Sequence, residues 1–439
     1  MGSRGLNTFV LFCAAGICAK ALALMVQLEG WAYVDIIAAT SDVVVCSKRV
    51  SGAEDELFAL DTLGKKVLWR KNAYAVTRGE TDGLGNLITV EIGDRLVSRK
   101  LKNGDVNWHK DLHAIAPGEP SQHPLPSDPN LARPSGLRYE YRDPLIRGEK
   151  AFVFRQARRG SPDRWSVLFE DWLVFDTADG RLLHHGSGAC LGLAGDVPVV
   201  SKDDNTIVAI NPSDYSQTEI YRDSTRDRLL AQPIDPWSRG TPAIQYSHRG
   251  RCIFNISTIP GNASTPAVYD SSNRKLTVIK PREKQNLPDN WILLSDYAIG
   301  YSATGRIAVY DADGKFLRES TLDTRTDADS AAIQFAGTSG TGAVIFRRAE
   351  SLLVFDIPSL ELTDHVERKP AQPWGRVFIR RSSDIIYSVE GNTSLQKMRP
   401  DRMPHKLTIN LISLKSGQTL WSRIEEATIK KHHTDSPPH

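Results

Sequence analysis

The stretch that decides the fold is Leu57-Phe58-Ala59-Leu60-Asp61-Thr62-Leu63-Gly64-Lys65-Lys66-Val67-Leu68-Trp69. Four apolar residues form a short strand, Asp61 ends it, a Gly-containing turn follows, and Lys66 to Trp69 runs back antiparallel. An Asp or Asn at the strand end bonds the backbone of a tight turn, and Gly supplies the positive φ that closes it. A Trp after such a turn buries a large flat area.

Working outward, the same unit recurs. The last copy is Leu411 to Trp421, with Gly417 in its turn. Between the two lie Leu101 to Trp108 with Gly104, and Leu173 to Leu183 with Asp176 and Gly180. Weaker copies are Ile207 to Asn211, Val268 to Val278, Ile307 to Leu317 with Asp311 and Gly314, and Leu352 to Leu362 with Asp356. Other β-rich runs, such as Val43–Val45, Leu87–Val90, Ala151–Phe154 and Ala343–Phe346, end at turn residues. No long window holds apolar residues at helical spacing. Repeated strand pairs of this kind indicate an all-β propeller. Seven or eight four-stranded blades are expected, with eight favoured. Asp61, Trp69, Gly104, Trp108, Asp176, Gly180, Asp311, Gly314, Asp356, Gly417 and Trp421 are the expected structural positions of the repeat. Trp69, Trp108 and Trp421 are expected to pack between blades.

The widest gap, between Leu101 and Asp176, must hold a blade's worth of strand and more. An insertion at about 113–150 accounts for it, rich in Pro at 117, 120, 124, 126, 129 and 134. Long loops inside compact domains are usually functional or disordered. Arg133, Arg138, Tyr139, Tyr141 and Arg142 lie in this span, and Arg and Tyr dominate binding hot spots. They are the expected contacts for a protein or peptide partner. A single propeller domain is expected over 30–429, with a disordered polar tail at 430–439.

The formal charge is +3, from 55 basic and 52 acidic residues. So even a balance gives no basis for nucleic-acid binding. At the N-terminus, Arg4 precedes an uncharged run from Gly5 to Ala19, then Lys20 and Ala21-Leu22-Ala23. This reads as a signal peptide over 1–23 and export. The run is too short for a transmembrane span. The alternative is a cytoplasmic protein whose N-terminal apolar stretch belongs to the mature fold. Cys46, Cys190 and Cys252, the cysteines outside that stretch, form neither a zinc pattern nor a disulfide framework, and one pair could be bridged in an oxidising compartment.

These residues resemble the quinoprotein alcohol dehydrogenases and their cofactor-free relatives, whose repeat is A-x-D-x-x-x-G-x-x-x-W. Ala59, Asp61 and Trp69 fall on it, with Gly64 one residue early. Gly417 and Trp421 fall on it, Gly104 and Trp108 keep its second half, and Asp176 and Gly180 its middle, with His184 where Trp would stand. The resemblance implies a propeller of eight blades. It does not imply the quinone. Quinone chemistry needs a Ca²⁺ site and an Asp base, and family members usually carry a disulfide of adjacent cysteines, which this chain lacks. No cofactor is therefore expected, and the expected function is a non-catalytic interaction or assembly module. The alternative is a divergent quinone-dependent dehydrogenase or another enzyme using the central funnel.

Other groups carry less. Asp203-Asp204-Asn205 and Asp311-Ala312-Asp313-Gly314 read as turns. His184 and His185 are adjacent on a strand, so they point to opposite faces and cannot share a metal. Gly337 to Gly342 lacks the Lys of a phosphate loop. Arg155, Arg158, Arg159 and Arg164 read as a solvated basic loop, or as a site for an acidic partner.

Overall fold

The computed structural model describes residues 31–427 except 41, 51–54, 62–64, 74–75, 92–93, 116–136, 142–143, 160–165, 203–205, 223–229, 234–246, 249, 258–264, 281–286, 289, 295, 323–332, 339–342, 349–350, 368–375, 380–384, 391–392 and 395–404. The described strands fall into eight antiparallel sheets, arranged as the blades of a propeller. Blade 1 runs from Trp31 to Asn72, blade 2 from Val76 to Asp111, blade 3 from Leu137 to Ser187 and blade 4 from Ala189 to Arg222. Blade 5 runs from Leu230 to Val278, blade 6 from Asn290 to Thr321, blade 7 from Ile333 to Glu367 and blade 8 from Arg376 to Ala427. In each blade the strands follow one another from the innermost to the outermost.

The quoted repeat is the hairpin of the third and fourth strands, and all its copies are the same turn. The residue closing that turn has positive φ in every blade: Lys65, Gly104, Gly180, Tyr215, Arg274, Gly314, Leu360 and Gly417, with φ from 53° to 73°. The preceding strand end supplies the bonding expected of it. Asp176 Oδ1 accepts from Ala178 N, Asn211 Oδ1 from Ser213 N, Asp270 Oδ1 from Ser272 N and Asp311 Oδ1 from Asp313 N. The backbone closes behind, as Gly180 N donates to Asp176 O, Leu360 N to Asp356 O and Gly417 N to Ser413 O. In blade 1 a left-handed residue stands at Lys65; Gly64 lies outside the described residues. That removes the one-residue offset in the repeat, because Lys65 stands four residues before Trp69 as Gly417 does before Trp421.

The outer strand of one blade grips the turn of the next. Trp69 of blade 1 is buried against Gly104 of blade 2. A Cβ on Gly104 would stand 2.7 Å from the indole, so only Gly fits. Trp69 Nε1 donates to Leu101 O at 2.6 Å. Trp108 repeats this on blade 3, lying on Gly180 and donating to Thr177 O at 2.9 Å. Further round, other side chains take the Trp position. His184 of blade 3 stacks on Tyr215 of blade 4 at 4.2 Å. Thr277 of blade 5 meets Gly314 of blade 6, and Arg318 of blade 6 donates to Ser359 O of blade 7 at 2.7 Å. Trp421 of blade 8 packs on the core shared with blade 1.

The core is a circle of interblade clusters. Val34, Phe58 and Leu60 of blade 1 pack with Leu407, Ile409 and Leu411 of blade 8, which closes the ring. Thr393–Ser394, from blade 8, also pairs with Trp31 and Ala32 on the inner edge of blade 1. Cys46, Cys190 and Cys252 sit in different clusters. Cys190 packs in the cluster shared with blade 3 and Cys252 in the cluster shared by blades 4 and 5, and no disulfide joins any two of the three.

The span read as an insertion contains structure. Leu137–Tyr141 and Leu145–Arg147 together line the inner edge of Lys150–Arg159, and so make up the innermost strand of blade 3. What remains between blades 2 and 3 is residues 116–136, outside the described residues, as are the expected signal peptide at 1–23 and the tail at 430–439.

Candidate functional site

The densest group of charged side chains lies where the chain passes from blade 2 to blade 3. Arg155 is on the second strand of blade 3 and Asp171 on the third, directly opposite in register, with 2% exposure each. Alternation puts both on the face turned to blade 2. Arg155 Nε donates to Asp171 Oδ1 at 2.8 Å, and Nη2 to Oδ2 at 2.5 Å. The same Oδ2 lies 2.8 Å from His185 Nε2, on the fourth strand. Arg155 Nη1 donates to Leu112 O at 3.1 Å and Ile115 O at 2.9 Å. These carbonyls belong to the short 3₁₀ turn Leu112–Ala114 that follows blade 2, a turn capped by Asp111.

Aromatic rings wrap this cluster. The Arg155 guanidinium lies over Tyr139 at 5.4 Å, and His113 meets the same ring edge-on at 5.3 Å. His113 Nδ1 stands 3.3 Å from Asp94 Oδ2 at the tip of blade 2. Burial pushes the Asp171 carboxyl up, but the hydrogen bonds from Arg155 and His185 outweigh it and hold the group below the usual carboxylate range. Burial also pushes the Tyr141 hydroxyl well up; the Asp94 charge adds to this and Arg155 opposes it. A buried charge persists only when it is paired and hydrogen-bonded. Here the pairing of Arg155 also clamps two backbone carbonyls. The set therefore holds the entrance of 116–136 in place, while Leu137–Tyr141, paired with Arg155–Arg159, holds its exit.

The residues expected from the sequence divide clearly. Asp61, Trp69, Gly104, Trp108, Asp176, Gly180, Asp311, Gly314, Asp356, Gly417 and Trp421 all lie on the strand-end, turn and grip positions of the hairpins. Tyr139 and Tyr141 are half-buried on the inner strand of blade 3, Arg138 pairs there with Arg158 through the backbone, and Arg133 and Arg142 lie outside the described residues. The two adjacent histidines do face opposite ways: His184 toward blade 4, His185 toward Asp171. Arg155, read as part of a solvated loop, is instead fully buried, because the strand Leu137–Tyr141 covers it. Asp171, His113 and Asp94 were not singled out, and His185 was weighed only as a metal ligand. A signal existed: Arg155 and Asp171 each abut an apolar run, Ala151–Phe154 and Trp172–Phe175, in two strands that pair.

Among the described residues, no group of three or more His, Cys, Asp or Glu is placed to hold a metal ion. No described helix is long and apolar enough to cross a membrane.

No family model and no curated protein matches the sequence. Solved structures of similar fold include BamB from Moraxella catarrhalis, at 13% identity and TM-score 0.41, covering 92% of this chain and 98% of that one. The dihydro-heme d1 dehydrogenase NirN is similar at 12% identity and TM-score 0.48, covering 89% and 75%. The computationally designed Ika8 protein is similar at 13% identity and TM-score 0.46, covering 81% and 89%. The propeller assignment rests on the sheet topology and the closed circle of interblade cores in this chain itself.

Proposed function

We propose that this chain is a non-catalytic propeller that serves as a protein-interaction or assembly module, and that its partner docks on the segment between blades 2 and 3. The observation that carries this reading is the double anchoring of residues 116–136. Arg155, paired with Asp171, clamps the backbone at Leu112 and Ile115 where the segment leaves, and a backbone ladder receives it at Leu137. A segment displayed from fixed ends loses less freedom on binding than one on a loose tether. Its composition, with six prolines over 117–134, lowers that cost further.

The test replaces 116–136 alone with a Gly/Ser linker, leaving the inner strand of blade 3 intact. Thermal unfolding should move by no more than a few degrees, since loop length costs little. A photo-crosslinker at position 125 or 131 should trap a protein partner in the native source, and one on the outer strand of blade 5 should not. Equal trapping at both positions sinks the reading.

A further inference from the structure

The ring is continuous in space but not along the chain. Every other junction between neighbouring blades is crossed by the polypeptide, whereas blade 8 meets blade 1 through non-covalent contacts alone. Those contacts include a shared apolar core, the short pairing of Thr393–Ser394 with Trp31–Ala32, and a cluster of charges.

At the centre of that cluster is Glu425, on the outer strand of blade 8, with a side chain only 6% exposed. It accepts from Arg70 Nη2 of blade 1 at 2.7 Å and from its own strand's Arg423 Nε at 2.6 Å, and Lys48 Nζ stands 4.0 Å away. Glu56 of blade 1 takes the other arm of Arg70 at 3.0 Å and lies 4.0 Å from Lys48. Arg70 is further held over the Phe58 ring at 4.8 Å. Lys48, Glu56 and Arg70 thus face Glu425 from the second, third and fourth strands of blade 1.

The charge count decides what neutralising Glu425 would do. Among the described ion pairs, three cations share two carboxylates across the seam. Without the Glu425 charge, Glu56 is the carboxylate left in this set to set against Lys48, Arg70 and Arg423, so the attraction across the seam is weakened. Most other ion pairs that bridge blades differ in kind, although Arg147–Glu80, between blades 3 and 2 at 3.3 Å, is also largely buried. In Lys71–Asp105, Lys275–Asp313 and Arg251–Asp296 the carboxylate is 57% to 73% exposed, and such solvated pairs contribute little. The junction of blades 4 and 5 is an apolar cluster including Leu191, Val199, Cys252 and Phe254.

We propose that Glu425 is the latch of an acid-opened seam: on loss of its charge, blade 8 parts from blade 1 while the apolar junction of blades 4 and 5 stays closed. Burial pushes its carboxyl up, but the hydrogen bonds from Arg70 and Arg423 hold it below the usual range. The latch is therefore shut at neutral pH and releases as pH falls through that lowered value.

Hydrogen exchange of the intact chain, read by mass spectrometry, tests this. The readout is the ratio of exchange in the seam strands (Glu56–Asp61, Lys66–Asn72, His405–Ser413 and Thr419–Ala427) to that in control strands of blades 4 and 5 (Ala189–Ala194, Val197–Ser201 and Arg251–Ser257). A ratio removes the intrinsic effect of pH on exchange chemistry. It should rise about tenfold between neutral pH and about pH 3 in the natural protein, and Glu425→Gln should show the same rise at neutral pH. If the variant does not fold, the titration of the natural protein decides alone. A ratio that stays level, or control strands that open together with the seam, overturns the proposal.

Discussion

Trp69 and Gly104 offer the sharpest test of the blade-to-blade grip. Trp69→Ala removes a large buried side chain that closes the junction of blades 1 and 2, and it strips Leu101 O of its indole donor. Truncations of this kind cost about 3–5 kcal/mol. Gly104→Ala acts from the other side. Its new methyl would enter the indole plane at 2.7 Å, and its φ of 73° is strained for any residue with a Cβ. Overpacking contributes about 1–3 kcal/mol and the backbone about 1 kcal/mol. The two effects differ in their dependence on Trp69. Once the indole is gone the overpacking vanishes, and the backbone cost alone remains. The double variant should therefore be more stable than the sum of the single losses predicts, by about 1–3 kcal/mol. Urea unfolding followed by far-UV circular dichroism measures all four corners of the cycle. Additivity within about 0.5 kcal/mol, or a loss below about 1 kcal/mol for Trp69→Ala, would show that the ring does not bear on Gly104 and that the repeat is misassigned.

Other outcomes are as specific. Asp171→Asn should destabilise by about 3–5 kcal/mol, since it leaves the Arg155 guanidinium buried without its counter-charge. Because the Asp171 carboxyl is held below its ordinary range, its stabilisation is fully present above about pH 4 and declines as pH falls through the lowered value, so the gap between natural protein and variant in urea midpoints should narrow in acid. Burial pushes the Cys252 thiol well above its usual range, so iodoacetamide should leave it unlabelled in the native protein and modify it only after denaturation, as read by peptide mass spectrometry. Export should be accompanied by cleavage near Ala23, and N-terminal sequencing of the secreted protein that returned Met1 or Gly2 would refute it.

Much of the fold was legible because one hairpin recurs with its turn chemistry intact. The strand-end Asp or Asn and the left-handed position could be read wherever Gly fills the latter, as at Gly104, Gly180, Gly314 and Gly417. Lys65, Tyr215, Arg274 and Leu360 hold the same conformation without a glycine to announce it. In the same way Trp marks the grip at Trp69, Trp108 and Trp421, while His184, Thr277 and Arg318 do its work elsewhere under no common name. The innermost strand of blade 3 was hidden for a different reason. Leu145–Arg147 is three residues long, and the proline-rich stretch before Leu137 made the whole span look like loop. The buried cluster stayed out of view because Arg155 is solvated or sealed according to what covers it, and its cover is a strand that composition alone does not reveal.

The grip between blades has a direction. From blade 1 to blade 4 and from blade 5 to blade 8 the outer strand reaches forward to the turn of its successor, so a blade between two such junctions is held from one side by the residue it extends and from the other by the turn it offers. Arrays in which each unit touches only its neighbours behave as coupled links in one dimension. Joined end to end, such an array has no privileged first member. The strand beginning at Trp31 and the one ending at Ala427 belong to adjacent blades and terminate toward the same face. The place where the polypeptide is cut is therefore incidental to the architecture. A permuted chain, its old ends joined and new ends opened between blades 4 and 5, would inherit the same circle of contacts, and the acid-sensitive junction at Glu425 would become a covalently bridged one.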